Sequence, residues 1–191
     1  MSEAYAIEED RKYTYVDYKA WELKPGERYE LINGVAYAMA APGLTHQGIL
    51  IELATQFHVF LKGKPCKVYP APFDVRLFYE EDESDDTVVQ PDVVVICDPE
   101  KLVEEGCRGA PDLVVEILSP SNTAIEMGRK LTLYKEAQVK EYWVVDPKNK
   151  NISIYQLRNG EYVLQIYHAQ DIVRPGVLPG LEIPLSTVFP D

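Results

Sequence analysis

The chain has 191 residues, 46% of them hydrophobic, and a formal net charge of −12. That length and apolar content suffice for one sizeable core, read as a single domain over residues 1–191. The charge argues against passive binding to a nucleic-acid backbone, no apolar run reaches the length of a bilayer span, and the acidic opening Met1 to Asp10 lacks an apolar signal core, so a cytoplasmic protein without membrane contact is expected.

Thr14-Tyr15-Val16-Asp17 has the spacing of a capping box and opens a short helix that ends near Pro25-Gly26. Tyr29 to Met39 reads as a hairpin with Asn33-Gly34 at its turn. A longer helix starts at Thr45, with Ile49, Leu53, Phe57 and Phe60-Leu61 as its apolar stripe. Strands follow at Lys67 to Tyr69, Phe73 to Phe78, Val88 to Cys97 and Leu113 to Leu118, and Ser119-Pro120-Ser121-Asn122 breaks the last of them. A helix from about Ala124 to Ala137 carries Met127, Leu131 and Tyr134 on one stripe. Glu141 to Val145 is a strand closed by Asp146-Pro147, and Ile152 to Leu157 with Tyr162 to Tyr167 forms a hairpin about Asn159-Gly160. The tail, with Pro175, Pro179, Pro184 and Pro190, reads as mostly irregular. This order of helix, strands, helix and strand indicates an α/β architecture with a mixed central sheet flanked by helices.

Cys66, Cys97 and Cys107 fit neither a disulfide framework nor a zinc pattern, and Cys97 reads as a small buried hydrophobe. His46, His58 and His168 do not cluster in sequence. The run Glu80-Glu81-Asp82-Glu83-Ser84-Asp85-Asp86 reads as a solvated loop, because it lacks the glycine of a tight calcium loop.

Two sister segments stand out, Gln90-Pro91-Asp92-Val93-Val94-Val95-Ile96 and Ala110-Pro111-Asp112-Leu113-Val114-Val115-Glu116-Ile117. Each is a proline, an aspartate and a run that wants to be a buried strand. Glu116 lies inside such a run, where an unpaired carboxylate is costly, so a cation is expected beside it, with Lys130 on the next helix as the candidate. If the strands are neighbours, Asp92 and Glu116 converge near one end of the sheet. Paired carboxylates of this kind hold hard divalent cations, and a lysine beside them steadies charge on phosphate or polarises a water. Glu126 and Tyr134 lie four residues either side of Lys130 and share its face. Bland alternatives stand beside this reading: Glu126 and Lys130 as a surface pair, and Asp92 and Asp112 as turn caps. For Asp112 the capping role is favoured; for Glu116 a functional one is.

The stretch from about Tyr29 to Pro147 resembles the Uma-two-type restriction endonucleases of the PD-(D/E)XK nuclease superfamily. The resemblance rests on Tyr29-Glu30-Leu31-Ile32-Asn33-Gly34, His46, Ala71-Pro72-Phe73-Asp74-Val75-Arg76-Leu77, Gln90-Pro91-Asp92, the segment Gly109 to Ser121, Lys130, Tyr134 and Glu141 to Pro147. It implies a restriction-endonuclease-like fold with a core at about 29–147 and a C-terminal hairpin and tail at 148–191. It assigns Asp92 the metal-binding aspartate role and Glu116 the acidic role of the D/E-X-K element. Leu118 stands where that element carries lysine, and the resemblance moves the lysine to Lys130. Glu126 stands where relatives often carry aspartate. Glu30 and His46 match accessory positions near the cleft, and they serve equally well as fixtures of the hairpin and the helix start.

The expectation is a Mg²⁺- or Mn²⁺-dependent endonuclease acting on nucleic acid, with DNA as the expected substrate. Asp92, Glu116 and the Ile117 carbonyl would hold the metal, and Lys130 would position the attacking water. A symmetric homodimer is expected, with Arg76, Arg129 and Lys130 supplying positive charge at the cleft rim. The alternative is a catalytically inactive binding or assembly protein that keeps the fold, which the acidic charge favours; a third reading is a metal hydrolase of small phosphoesters.

Overall fold

The structure, a computed structural model, describes residues 11–21, 23–120 and 123–189. Helix α1 (Tyr15–Ala20) precedes the hairpin β1 (Tyr29–Ile32) and β2 (Val35–Ala38), and α2 (Leu44–Leu61) leads to β3 (Lys67–Pro70) and β4 (Val75–Arg76). Then come β5 (Val88–Val89), β6 (Val93–Ile96), β7 (Leu102–Val103), β8 (Gly106–Arg108) and β9 (Leu113–Ile117). Helix α3 (Ala124–Glu136) connects to β10 (Glu141–Asp146), β11 (Asn151–Arg158), β12 (Glu161–His168), β13 (Ile172–Val173) and β14 (Ile183–Pro184).

The strands form two six-stranded mixed sheets, in the orders β2-β1-β5-β4-β8-β7 and β12-β11-β10-β9-β6-β3, plus the small β13–β14 pair. The mixed α/β arrangement is the expected one; the division into two sheets is not visible in the periodicity. Its cause lies in Gln90-Pro91-Asp92. Val88 to Cys97 reads as one strand, but proline has no N–H for a ladder. The chain therefore leaves the first sheet after Val89 and joins the second at Val93, with Asp92 at the crossing.

Alternation along the central strands decides what each face meets. Val93, Val95, Leu113, Val115 and Ile117 pack with Ile49, Leu53 and Phe57 of α2 and with Val173, Leu178, Leu185 and Val188 of the tail. Val94, Ile96 and Val114 turn the other way, toward Leu133 and Tyr134 of α3 and Ile32, Val75 and Val89 of the first sheet. Tyr13, Tyr15 and Trp21 cover Leu31 and Val88 in a third cluster. The central strands β6 and β9 of the second sheet are thus covered on both faces, and a polar side chain on them is buried.

Both predicted two-residue turns form as expected. Asn33 and Gly34 have φ of 50° and 75°, and Asn159 and Gly160 have 52° and 81°, the paired positive values of a type I′ hairpin. In α1 the Asp17 carboxylate accepts from the Thr14 N–H at 3.0 Å, and the helix stops at Ala20, short of Pro25.

Two expectations need correcting. Cys66 and Cys97 form a disulfide, because they lie one register step beyond the Lys67↔Ile96 pair; their separation of 31 residues hides this. Cys107 is buried with a free thiol, and burial pushes that thiol up to about 12. Asp85 is not solvated: it is buried against the Arg76 guanidinium. The tail is poor in regular structure, as expected, and it closes the core with Leu181, Ile183, Leu185, Val188 and Phe189. Met1 to Asp10, Ser121, Asn122 and Pro190 lie outside the described residues.

Candidate active site

Strands β6 and β9 run antiparallel with Val93 opposite Val115. One step further along the same register, Asp92 stands opposite Glu116. The Asp92 carboxylate is fixed there: its Oδ2 accepts the Ile117 N–H at 2.7 Å and lies 3.2 Å from His46 Nε2. His46 comes from the first turn of α2, and Glu30 comes from β1 of the other sheet. Glu30 Oε1 accepts the Gln90 N–H at 3.0 Å, so the residues just before Asp92 are anchored to β1 of the first sheet.

Glu116 points to the α3 side of its strand. Its Oε1 accepts from Lys130 Nζ at 2.8 Å and from the Tyr134 hydroxyl at 2.6 Å. Lys130 Nζ also lies 3.2 Å from Glu30 Oε1. The expected partner of Glu116 is therefore in place, and the ammonium joins α3 to both sheets. The lysine reaches this point because α3 starts in a fixed phase. Thr123 accepts the Glu126 N–H at 3.2 Å, and Glu126 returns its carboxylate toward the Thr123 N–H, a capping box that sets where positions 130 and 134 face.

Glu30, His46, Asp92, Glu116, Ile117, Glu126 and Lys130 all line one cleft of about 280 Å³. Its electrostatics follow from crowding of acids in a dry place. Burial pushes the Glu116 carboxyl up to about 7 against the pull of Lys130, and Glu30 and Asp92 add to the rise. For Lys130, burial works against the ammonium, but Glu116 and Glu30 outweigh it and hold the group protonated well above the usual lysine range. The hydrogen bond to Asp92 raises the His46 imidazole, against burial. His46 Nδ1 is buried without a hydrogen-bond partner among the described residues.

The oxygens that remain are suggestive. Asp92 Oδ1 and Glu116 Oε2 take no hydrogen bond among the described residues, so each carboxylate has one arm fixed and one arm open. Among the described residues no three His, Cys, Asp or Glu side chains form a ready-made metal cage. Two carboxylates, with water and a substrate oxygen completing the shell, are what a Mg²⁺ site of this kind uses.

Arg76 and Arg28 take places that the sequence did not give them, and Asp112 keeps the structural role favoured for it. Arg76 is not at the cleft rim; its guanidinium is buried against Asp85 and over the Tyr15 ring. Asp112 accepts the Cys97 N–H at 2.7 Å and Lys140 Nζ at 2.6 Å, a local fastening away from the cleft. Arg28 does line the cleft, with no ion pair among the described residues. Its signal was present: two residues before Glu30, alternation puts it on the same face. Tyr134 was legible as a neighbour of Lys130 on the helix, but not as a donor to Glu116.

Comparison with known proteins bears on the fold and the family. A protein of Synechocystis sp. described only as uncharacterized protein slr1290 is 29% identical over 157 residues, covering 81% of this chain and 80% of that one. The fold matches the crystal structure of a protein from Anabaena variabilis described as a "putative nuclease belonging to DUF820", with a TM-score of 0.73, 17% identity, and coverage of 93% of this chain and 97% of that chain. The family model Uma2, described as "Putative restriction endonuclease", matches residues 15–186. With nearly its whole described length matched, the chain belongs to the Uma2 family.

Proposed function

We propose that this protein is a divalent-metal-dependent nuclease that hydrolyses phosphodiester bonds of nucleic acid, with DNA as its substrate. The observation that carries the reading is the pair of half-used carboxylates: Asp92 and Glu116 stand opposite each other on antiparallel strands and line one cleft, each with one oxygen held by the protein and one that takes no hydrogen bond among the described residues. Asp92, Glu116 and the Ile117 carbonyl would hold Mg²⁺ or Mn²⁺. When bound, the ion would polarise the phosphate and lower the pKa of an attacking water. Lys130 keeps its proton and supplies positive charge beside the reacting phosphate, while Tyr134 and the Ile117 N–H fix which carboxylate oxygens stay available. His46 and Glu30 act as positioning residues for Asp92 and Lys130.

The test is cleavage of plasmid and oligonucleotide DNA in Mg²⁺ or Mn²⁺, with Asp92→Asn and Glu116→Gln as variants. Both variants should keep the fold and lose cleavage by at least about a hundredfold, a loss of the size seen when one electrostatic catalytic group is removed. Undiminished cleavage by either variant rules out the assignment. A wild-type protein that neither cuts nor binds Mn²⁺ would favour the non-catalytic reading, for which the net charge of −12 speaks.

A further inference from the structure

The carboxylate cleft is not isolated. On one side it runs into a groove of about 670 Å³, with which it shares His46, Leu118 and Ser119. The groove is walled by Leu44, Leu118, Pro120 and Pro147, and Lys148 stands at its margin without an ion pair among the described residues. Its volume lies in the range of small-molecule sites, roughly 300–1,000 Å³. Leu44 is 91% exposed on the first turn of α2, so nothing among the described residues covers that wall. On the other side the cleft shares Glu30, Tyr37, Glu126 and Lys130 with a second recess of about 240 Å³, where the Arg129 guanidinium sits 4.3 Å from the centre of the Tyr37 ring. Arg28 lies between the two regions, on the cleft wall.

Resting on the nuclease reading of the cleft, we infer that the strand bound on either side of the scissile phosphate is unpaired: the substrate is single-stranded DNA, with one base in the Leu44–Leu118–Pro147 groove and another against the Tyr37–Arg129 stack. Two arguments carry this. First, a duplex keeps its bases inside and offers phosphate and sugar, so a duplex reader needs a broad positive face. Here the net charge is −12, four carboxylates (Glu30, Asp92, Glu116, Glu126) line the cleft, and Arg76, one of the three sequence candidates for the rim, is spent on Asp85. Second, what flanks the cleft suits bases: an apolar groove and an aromatic ring already stacked with a guanidinium, the elements of a single-strand platform. Arg28 and Lys148, lying at intervals along this path, are enough to meet separate phosphates of a flexible strand.

The experiment compares a fluorescent single-stranded oligonucleotide with the duplex of the same sequence. Binding is read by anisotropy in Ca²⁺ and cleavage in Mg²⁺ or Mn²⁺. Single strand should be bound and cut at least about tenfold better than duplex. Tyr37→Ala should weaken single-strand binding about tenfold, the scale of one lost base–aromatic stack, while Tyr37→Phe should restore it. Leu44→Glu, on an exposed first turn where an acid suits the helix end, should leave the melting temperature unchanged and weaken single-strand binding by a similar factor. Duplex cut as well as single strand would overturn the inference and leave the nuclease reading standing, as would single-strand binding unchanged in both Leu44→Glu and Tyr37→Ala. Single strand bound through Leu44 and Tyr37 but never cut would keep the binding surface and overturn the nuclease reading. Failure to bind or cut either substrate would overturn both.

Discussion

Replacing Lys130 with methionine should be far more damaging than replacing Glu116 with glutamine. Lys130 and Glu116 are both buried, with side chains 8% and 12% exposed, and the ammonium serves Glu116 at 2.8 Å and Glu30 at 3.2 Å. Removing it strands two carboxylates. Breaking a buried pair from one side costs about 3–5 kcal/mol, which for a chain of this size is roughly 6–20 °C of melting temperature. Glu116→Gln keeps an oxygen to accept from Lys130 and Tyr134 and leaves Lys130 facing Glu30, so about 1–2 kcal/mol is expected. The two changes also respond differently to pH. The Glu116 carboxyl is raised in the folded state from 4.5 to about 7, so its contribution to stability is fully present below about 4.5 and is lost as pH rises through about 7. Lys130 is raised too, so its own contribution persists up to the lysine range and does not change across that window. Without the ammonium the carboxyl is forced higher still, and the penalty of Lys130→Met should shrink from about pH 8 to about pH 5. Urea unfolding in EDTA, followed by near-ultraviolet circular dichroism at both pH values, measures this. Equal stability of the two variants at pH 8, or a penalty no smaller at pH 5, would refute the account of the site's electrostatics.

Other outcomes follow from the frame around the site. The Glu141 carboxylate, raised by burial, gathers Trp143 Nε1 at 2.7 Å, the Gly176 N–H at 2.7 Å and the Val177 N–H at 3.2 Å, so Glu141→Ala should cost about 3 kcal/mol and speed amide exchange selectively in residues 175–189. Gly106 has φ of 141°, and a Cβ there would stand 2.2 Å from the Asp74 carbonyl oxygen; Gly106→Ala should part β4 from β8 and cost several kcal/mol in a melting assay. Alkylation and mass spectrometry under non-reducing, native conditions should leave all three cysteines unmodified, Cys66 and Cys97 through their bond and Cys107 through burial, and unfolding without reductant should release Cys107 alone.

The local signals in the sequence translated well because each is decided by neighbours in the chain. Asn33-Gly34 and Asn159-Gly160 demand their turns, the helix expected from about Ala124 starts there, and the runs at Val93 and Leu113 are strands. Glu116 was readable as a carboxylate in need of a cation because its apolar context makes it costly alone. What stayed hidden depends on pairing between distant segments. The Cys66–Cys97 bond, the Arg76–Asp85 pair and the tail's burial are facts of register and packing, and neither periodicity nor composition carries register. Asp85 shows the limit plainly: in a run of seven residues with six acids it looks solvated, and only the neighbouring strand reveals a buried guanidinium.

The placement of the lysine on α3 has structural consequences that a lysine on the strand would not have. At position 118 a lysine would share a strand with Glu116 and could serve that sheet alone. From α3, Lys130 reaches Glu116 in one sheet and Glu30 in the other, so one ammonium holds three elements around the cleft. Position 118 is released for an apolar residue, and Leu118 becomes the wall common to the carboxylate cleft and the neighbouring groove, its N–H tied to the Val145 carbonyl at 2.8 Å. A double variant, Leu118→Lys with Lys130→Met, tests that logic. It restores a cation to the strand and charges the groove wall, but it returns no partner to Glu30. It should therefore recover little of the stability lost in Lys130→Met, and the unfolding free energies of the two proteins from denaturant titration should agree to within about 1 kcal/mol. Full recovery would mean that Glu30 never needed the lysine, and that the link between the two sheets through Lys130 has no energetic weight.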